Sequence, residues 1–327
     1  MLYSLRDNKR PTVALKRKTK IRKKSALSLP ETRQIMTASE LMNDLNMKVR
    51  GQRDVKEAVA VAIQRQFHRM NGGKKPKLNT LIRGRTGTGK THTIQCACEA
   101  SGIPYYQFPL TGKSEAGLVG ENLVDIFQQI PAEDTHAAVH LDELDKLVRV
   151  YGSAQDVQVE LIPWLSGAQV YDRRTHDMVF FLTGSFDGLE EIAEARQMGG
   201  IGFHRQPEVD TRITEEDLIE FGVHEQLIGR IAQIEATEPL TRLDYVKIMG
   251  NPYGEFARTF RAAKGTKERA VKMTEAAKNA VIDYCEESSF GARSLEKAAA
   301  KLFRSYELGR GPDLIRRGYV RDVLGME

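Results

Sequence analysis

Cysteine is scarce in this sequence. Cys96, Cys98 and Cys285 are the only three in 327 residues, and no C-x-x-C pair is among them. Neither a zinc site nor a disulfide framework is expected, and the usage suits a reducing compartment. Cys96 and Cys98 fall in an expected core helix, where free cysteine packs as a small apolar residue. Long hydrophobic runs are also lacking. No stretch approaches the roughly 18 apolar residues that would span a bilayer, so no membrane insertion is expected, and a cytoplasmic location is. Acidic residues are nearly missing from the first 35 positions, where eleven Lys or Arg face only Asp7 and Glu31, a net of +9. Against a total of +5, the remaining chain is therefore at −4. The basicity belongs to a tail.

Residues 1–35 show no apolar periodicity, and 16–24 hold seven basic residues in nine. A solvated disordered arm explains them. Two other readings stay open: contact with nucleic acid or an acidic partner, and a Lys-rich variant of a transit peptide. From 36 to 235 helical and strand patterns alternate. Thr37-Ala38-Ser39-Glu40 has capping-box spacing, and a second helix follows Gly51-Gln52. Apolar runs at 78–82, 105–110, 137–141 and 178–182 predict strands of a parallel α/β sheet. A helix is expected from Lys90 to Ser101, ending at Gly102-Ile103-Pro104. Residues 236–327 read as a smaller, mostly helical domain, clearest at 275–286 and 291–308.

Gly84-Arg85-Thr86-Gly87-Thr88-Gly89-Lys90-Thr91 satisfies G-x-x-x-x-G-K-[ST]. Glycine lets backbone N–H groups close around a phosphate without a Cβ in the way, and the helix that follows turns its positive end to the anion. Lys90 is placed to reach the β- and γ-phosphates and Thr91 to ligate Mg²⁺. A strand before and a helix after complete the expected context of a P-loop.

A P-loop alone does not separate ATPases, GTPases and kinases. Ala138-Val139-His140-Leu141-Asp142-Glu143 narrows the field, because an apolar strand delivers two adjacent carboxylates at its end. Asp142 would hold Mg²⁺, and Glu143 would orient and polarise the attacking water. The bland alternative is that both acids cap the next helix. His140 shares a strand face with Asp142 and is expected to be packed and hydrogen-bonded rather than catalytic. Phosphoryl transfer also calls for an arginine against the γ-phosphate, and spacing alone does not pick it.

From about Thr37 to Glu296 the chain resembles the ClpX branch of the AAA+ unfoldases, with HslU next. The resemblance implies that Val49 and Arg50, in Val49-Arg50-Gly51-Gln52, lie at the adenine. It makes Gly117-Leu118-Val119-Gly120 the first pore loop and Thr183, in Phe180-Phe181-Leu182-Thr183-Gly184, a contact to γ-phosphate or water. Arg230, closing Glu225-Gln226-Leu227-Ile228-Gly229-Arg230, would act on a neighbouring subunit's ATP. Arg293, in Phe290-Gly291-Ala292-Arg293-Ser294-Leu295, would meet ATP from the small domain of the same chain. An arginine acting in trans implies a ring, in this family a homo-hexamer. Gly200-Ile201-Gly202-Phe203 is similar to the loop that docks a ClpP-like peptidase; the alternative is a loop packed on its own domain.

Departures from the family pattern carry expectations too. The cysteine-rich zinc module is missing, so zinc is not expected. Leu118 stands where an aromatic belongs, which implies a weaker grip on substrate. The second pore loop, 149–158, is short, and Pro163 is expected to interrupt the helix after it. The basic entrance hairpin is reduced to Arg173-Arg174-Thr175-His176, expected to be a plain turn. The functional expectation is an ATP-driven unfoldase threading unfolded polypeptide through a pore. The competing expectation is a nucleic-acid-handling AAA+ ATPase that uses its basic tail; a non-hydrolysing scaffold is a distant third.

Overall fold

The computed structural model describes residues 36–326, apart from 112, 115–120, 124, 149–152, 171–172, 199–212, 253 and 266–270. The basic tail, the first pore loop Gly117–Gly120 and the docking loop Ile201–Phe203 lie outside the described residues.

Five parallel strands form the central sheet: β1 (Thr80–Arg83), β2 (Tyr105–Pro109), β3 (Ala138–Asp142), β4 (Val179–Gly184) and β5 (Gln233–Ala236), in the order β2-β3-β4-β1-β5. The central strands β3 and β4 are almost wholly buried, as continuous apolar runs require when both faces are covered. Strand alternation sorts their side chains. Ile82, Ala138, Val179 and Phe181 face a core shared with helices α1 (Ala38–Lys48), α2 (Arg53–Met70) and α3 (Lys90–Ser101). Leu81, Val139, Leu141, Phe180 and Leu182 face the opposite core with Leu161 and Trp164. Two-sided burial makes the fold α/β.

Local chemistry sets the helix ends. In α1 the Thr37 hydroxyl accepts the Glu40 N–H at 3.2 Å while the Glu40 carboxylate accepts the Thr37 N–H at 2.8 Å, the anticipated capping box. α3 stops where Gly102, at φ 71°, donates its N–H to the Cys98 carbonyl; that left-handed geometry favours glycine. All three cysteines are buried and free. Burial pushes the Cys96 thiol up to about 11 and Cys285 to about 12.

A third core lies entirely within residues 245–324, where helices Glu275–Glu287 and Arg293–Glu307 contribute Val281, Leu295, Leu302 and Phe303. β5 was not anticipated. Its four residues are all half-buried, so an edge strand with one large apolar side chain leaves little periodic signal. Two expectations are corrected. The helix Ser153–Ser166 runs through Pro163 without a break: Pro163 points outward, while Leu161, Trp164 and Leu165 anchor the inner face. Residues 173–176 are not a plain turn either, since Arg173–Arg174 pairs antiparallel with Gln169–Val170. Thr175 closes that ribbon by donating to the Ala168 carbonyl at 3.0 Å.

Candidate nucleotide site

The P-loop joins β1 to α3 as expected. Gly84, Gly87 and Gly89 all take positive φ, at 135°, 80° and 102°, a region costly for any residue with a Cβ. Contacts press on two of them. A Cβ at Gly84 would fall 1.9 Å from the Thr237 hydroxyl, and one at Gly87 would fall 2.1 Å from the Phe290 carbonyl oxygen. A Cβ at Gly89, by contrast, would meet nothing within 4 Å, and α3 begins there without a side-chain cap. Open space at an uncapped helix N-terminus suits a phosphate. The Lys90 ammonium rests on the carbonyls of Gly84 and Arg85. Burial lowers its pKa, opposed by the charges of Asp142 and Asp145 and assisted by that of Arg293. Thr88 donates to the Arg85 carbonyl at 2.7 Å and pairs with the Thr237 hydroxyl at 2.7 Å. Arg85 is exposed, whereas Thr86 and Thr91 are half-buried.

Two strands away, β3 ends in the carboxylates. Asp142 Oδ1 accepts the Thr183 hydroxyl at 2.5 Å and the Glu143 N–H at 3.0 Å, and Oδ2 accepts Gln107 Nε2 at 3.0 Å. Glu143 takes a left-handed φ of 65°. Its exposed carboxylate accepts the Thr111 hydroxyl at 2.8 Å, so neither acid simply caps the next helix. His140 is fully buried, with Nδ1 2.8 Å from the Tyr105 hydroxyl and Nε2 2.7 Å from that of Thr183. Burial pulls the imidazole down to about 4, against the opposing charge of Asp142. It is neutral, packed and hydrogen-bonded, as expected. Thr91 and Asp142 offer hard oxygen ligands of the kind Mg²⁺ takes one or two at a time, with phosphate and water completing its shell.

The remaining expected residues divide sharply. The segment carrying Arg293 sits on the P-loop, with the Ala292 N–H donating to the Gly87 carbonyl at 2.9 Å. Val49 is buried in the core of α1 and α2, and Arg50 donates to the Asn46 carbonyl at 3.1 Å. Arg230 is elsewhere. Its carbonyl accepts Asn79 Nδ2 at 3.0 Å, just before β1 begins, and its Nε donates to the Ser166 hydroxyl at 2.8 Å. The length of β1, roughly 13 Å at ~3.3 Å per residue, stands between Asn79 and the loop.

Several site residues escaped sequence reasoning. Tyr105 and Gln107 could have been found by the alternation that joined His140 to Asp142, since both occupy one face of β2 beside β3. Thr111, Thr237 and the pair of hydrogen bonds between the Gln52 amide and the Glu238 backbone, at 2.7 and 2.8 Å, carry no local signal.

A parallel sheet with a glycine loop opening a helix and a paired carboxylate two strands away defines a class, and residues 80–197 match the family described as the ATPase family associated with various cellular activities (AAA). The chain is an AAA+ ATP hydrolase, a class that works on nucleotide with Mg²⁺. More particularly it is ClpX-like. It is 27% identical over 80% of its length to the ATP-dependent Clp protease ATP-binding subunit ClpX of Azotobacter vinelandii, covering 71% of that protein. The ClpX proteins of Borrelia duttonii and Treponema denticola are each 26% identical, over 83% and 82% of this chain and 74% and 76% of theirs. Among the described residues no helix is long and apolar enough to cross a membrane.

Proposed function

We propose that the protein is the ATPase subunit of a Clp-type machine, a homo-hexameric ring that unfolds polypeptide and passes it to a ClpP-like peptidase. The separation of Arg230 from its own P-loop carries this reading. A guanidinium at the amino edge of the sheet cannot complete the site at the carboxyl edge of the same chain. In a ring it can complete the neighbour's. The naming of the relatives as Clp protease subunits supports the wider assignment.

In this reading residues 36–235 form the large nucleotide domain and 236–327 the small one. The N–H groups of Gly84–Lys90 take the phosphates, and Lys90 leaves its carbonyl partners for the β- and γ-oxygens. Thr91 and Asp142 hold Mg²⁺, which neutralises phosphate charge. Glu143 orients the attacking water, with Thr111 and the backbone fixing its carboxylate. Val49 and Arg50 belong to the segment beside adenine. Arg293 reports hydrolysis to the small domain through the Gly87–Ala292 contact. Leu118 in the loop 117–120 grips substrate, and Ile201 and Phe203 flank Gly202 in the docking loop.

Mixing two defective proteins tests the ring. Arg230→Ala and Glu143→Gln each abolish the site they belong to. Co-assembled one to one, they regenerate roughly a quarter of intact sites, as random order around a closed ring gives. Recovered ATP turnover is expected. Co-assembly without recovery, or a protein that stays monomeric with ATP bound, overturns the reading.

A further inference from the structure

Around Asp142 polar contacts close into a ring through five side chains on three adjacent strands, and four of the five contacts are hydrogen bonds. Asp142 meets Thr183, Thr183 meets His140, His140 meets Tyr105, and Tyr105 lies 3.3 Å from Gln107 Oε1, whose amide nitrogen returns to Asp142. Counting protons fixes the direction of most of the ring. An ionised Asp142 oxygen 2.5 Å from the Thr183 hydroxyl must receive that hydroxyl's single proton. Thr183 must then accept from His140, which puts the imidazole proton on Nε2. Nδ1 is left bare, and the Tyr105 proton fills it at 2.8 Å rather than the longer contact to Gln107. Gln107 gives its amide proton to the second Asp142 oxygen. Each carboxylate oxygen thus has a side-chain donor that is itself held by packing or by a neighbour.

We propose that His140, backed by Tyr105 and assisted by Gln107, is a positioning residue that holds Thr183 as a donor to Asp142 and so sets the carboxylate plane for the nucleotide-bound metal. The inference rests on Asp142 being a metal ligand, and it assigns roles to three side chains that touch neither nucleotide nor metal. In this arrangement the Thr183 proton is committed to Asp142, so Thr183 acts on the attacking water only as an acceptor or after the ring reverses. A phenylalanine or leucine at 140 would fill the space and break the ring. Glutamine would keep a donor within reach of Thr183.

Mn²⁺ binding, followed by electron paramagnetic resonance on full-length protein with a non-hydrolysable ATP analogue, tests it. His140→Leu is expected to weaken Mn²⁺ binding about tenfold, the low end for loss of an orienting partner, while nucleotide affinity in EDTA stays unchanged. His140→Gln should stay within about threefold of the parent, and Tyr105→Phe should fall between the two. In metal-free protein, ¹⁵N spectra should show His140 protonated on Nε2. Unchanged Mn²⁺ affinity in His140→Leu, failure of glutamine to rescue a folded protein, or protonation on Nδ1 overturns the proposal. If His140→Leu does not fold, Tyr105→Phe decides, since it removes one oxygen: parent-like Mn²⁺ affinity there overturns it. Asp142→Ala separates the two levels. Parent-like Mn²⁺ binding in that variant sinks the metal-ligand reading itself, whereas weakened binding there with intact binding in His140→Leu sinks only the positioning role.

Discussion

At the carboxyl edge of the sheet the side chains hold one another. Asp142, Thr183, His140 and Tyr105 form a closed set, Glu143 leans on Thr111, and the P-loop is pinned by Thr237 and by the segment 290–292. At the amino edge Arg230 is exposed, and its guanidinium reaches the Ser166 hydroxyl across a shallow cavity it shares with Lys77 and Asn79. One edge is preorganised for a ligand within the chain. The other presents an exposed cation, Arg230, for which the proposed function gives a use on a neighbouring subunit. Preorganised dipoles and donors are what stabilise charge in a transition state, so the first edge governs binding and the second should govern rate alone.

The largest test of that contrast is Arg230→Ala. Turnover should fall about 10³-fold, the lower end for an arginine finger, while nucleotide affinity of the same protein holds. A loss of affinity instead would place Arg230 in its own site and erase the distinction between edges. Next comes Gly87→Ala. A Cβ there meets the Phe290 carbonyl in a left-handed backbone, at about 1–2 kcal/mol, so nucleotide affinity in a fluorescence titration should fall near tenfold. Gln52→Ala probes the link from α2 to the segment after β5. Two backbone hydrogen bonds of Glu238 lose their partner, and the denaturant midpoint should report a loss of about 1–3 kcal/mol.

The last test lies at the amino edge and reads only a slope with pH. Burial lowers Lys77 to about 8, with Arg69 adding to it and Asp177 opposing. Below pH 8 both states carry the proton, and above the ordinary lysine range neither does. Between them the unfolded chain binds more protons, so stability rises with pH from 8 to about 10.5. Lys77→Met should flatten that part of a pH series of denaturant midpoints; an unchanged slope would put Lys77 in water.

Much of this was legible before any fold was known. The helix at 90–101, the glycines that open it, the carboxylates at 142 and 143 and four of the five strands follow from spacing and alternation, because each signal is local. β5 was missed for want of apolar contrast. Pro163 misled, since an outward-facing proline in a helix with a buried inner face is tolerated where a lone helix would break. The hydrogen-bond ring was half visible: alternation put His140 beside Asp142, and its partners on β2 and β4 come from strand order, which one strand's sequence does not contain.

By itself the sequence determined a glycine-rich turn that opens a helix, an acid pair at a strand end and a sheet buried on both faces, since these depend on residues within a few positions of one another. Tertiary structure decided which edge each cation occupies and which hydroxyl serves which carboxylate. Thr183 and Asp142 are 41 residues apart, and Gln52 and Glu238 are 186 apart. Only the order in which strands pack brings such groups within hydrogen-bond reach.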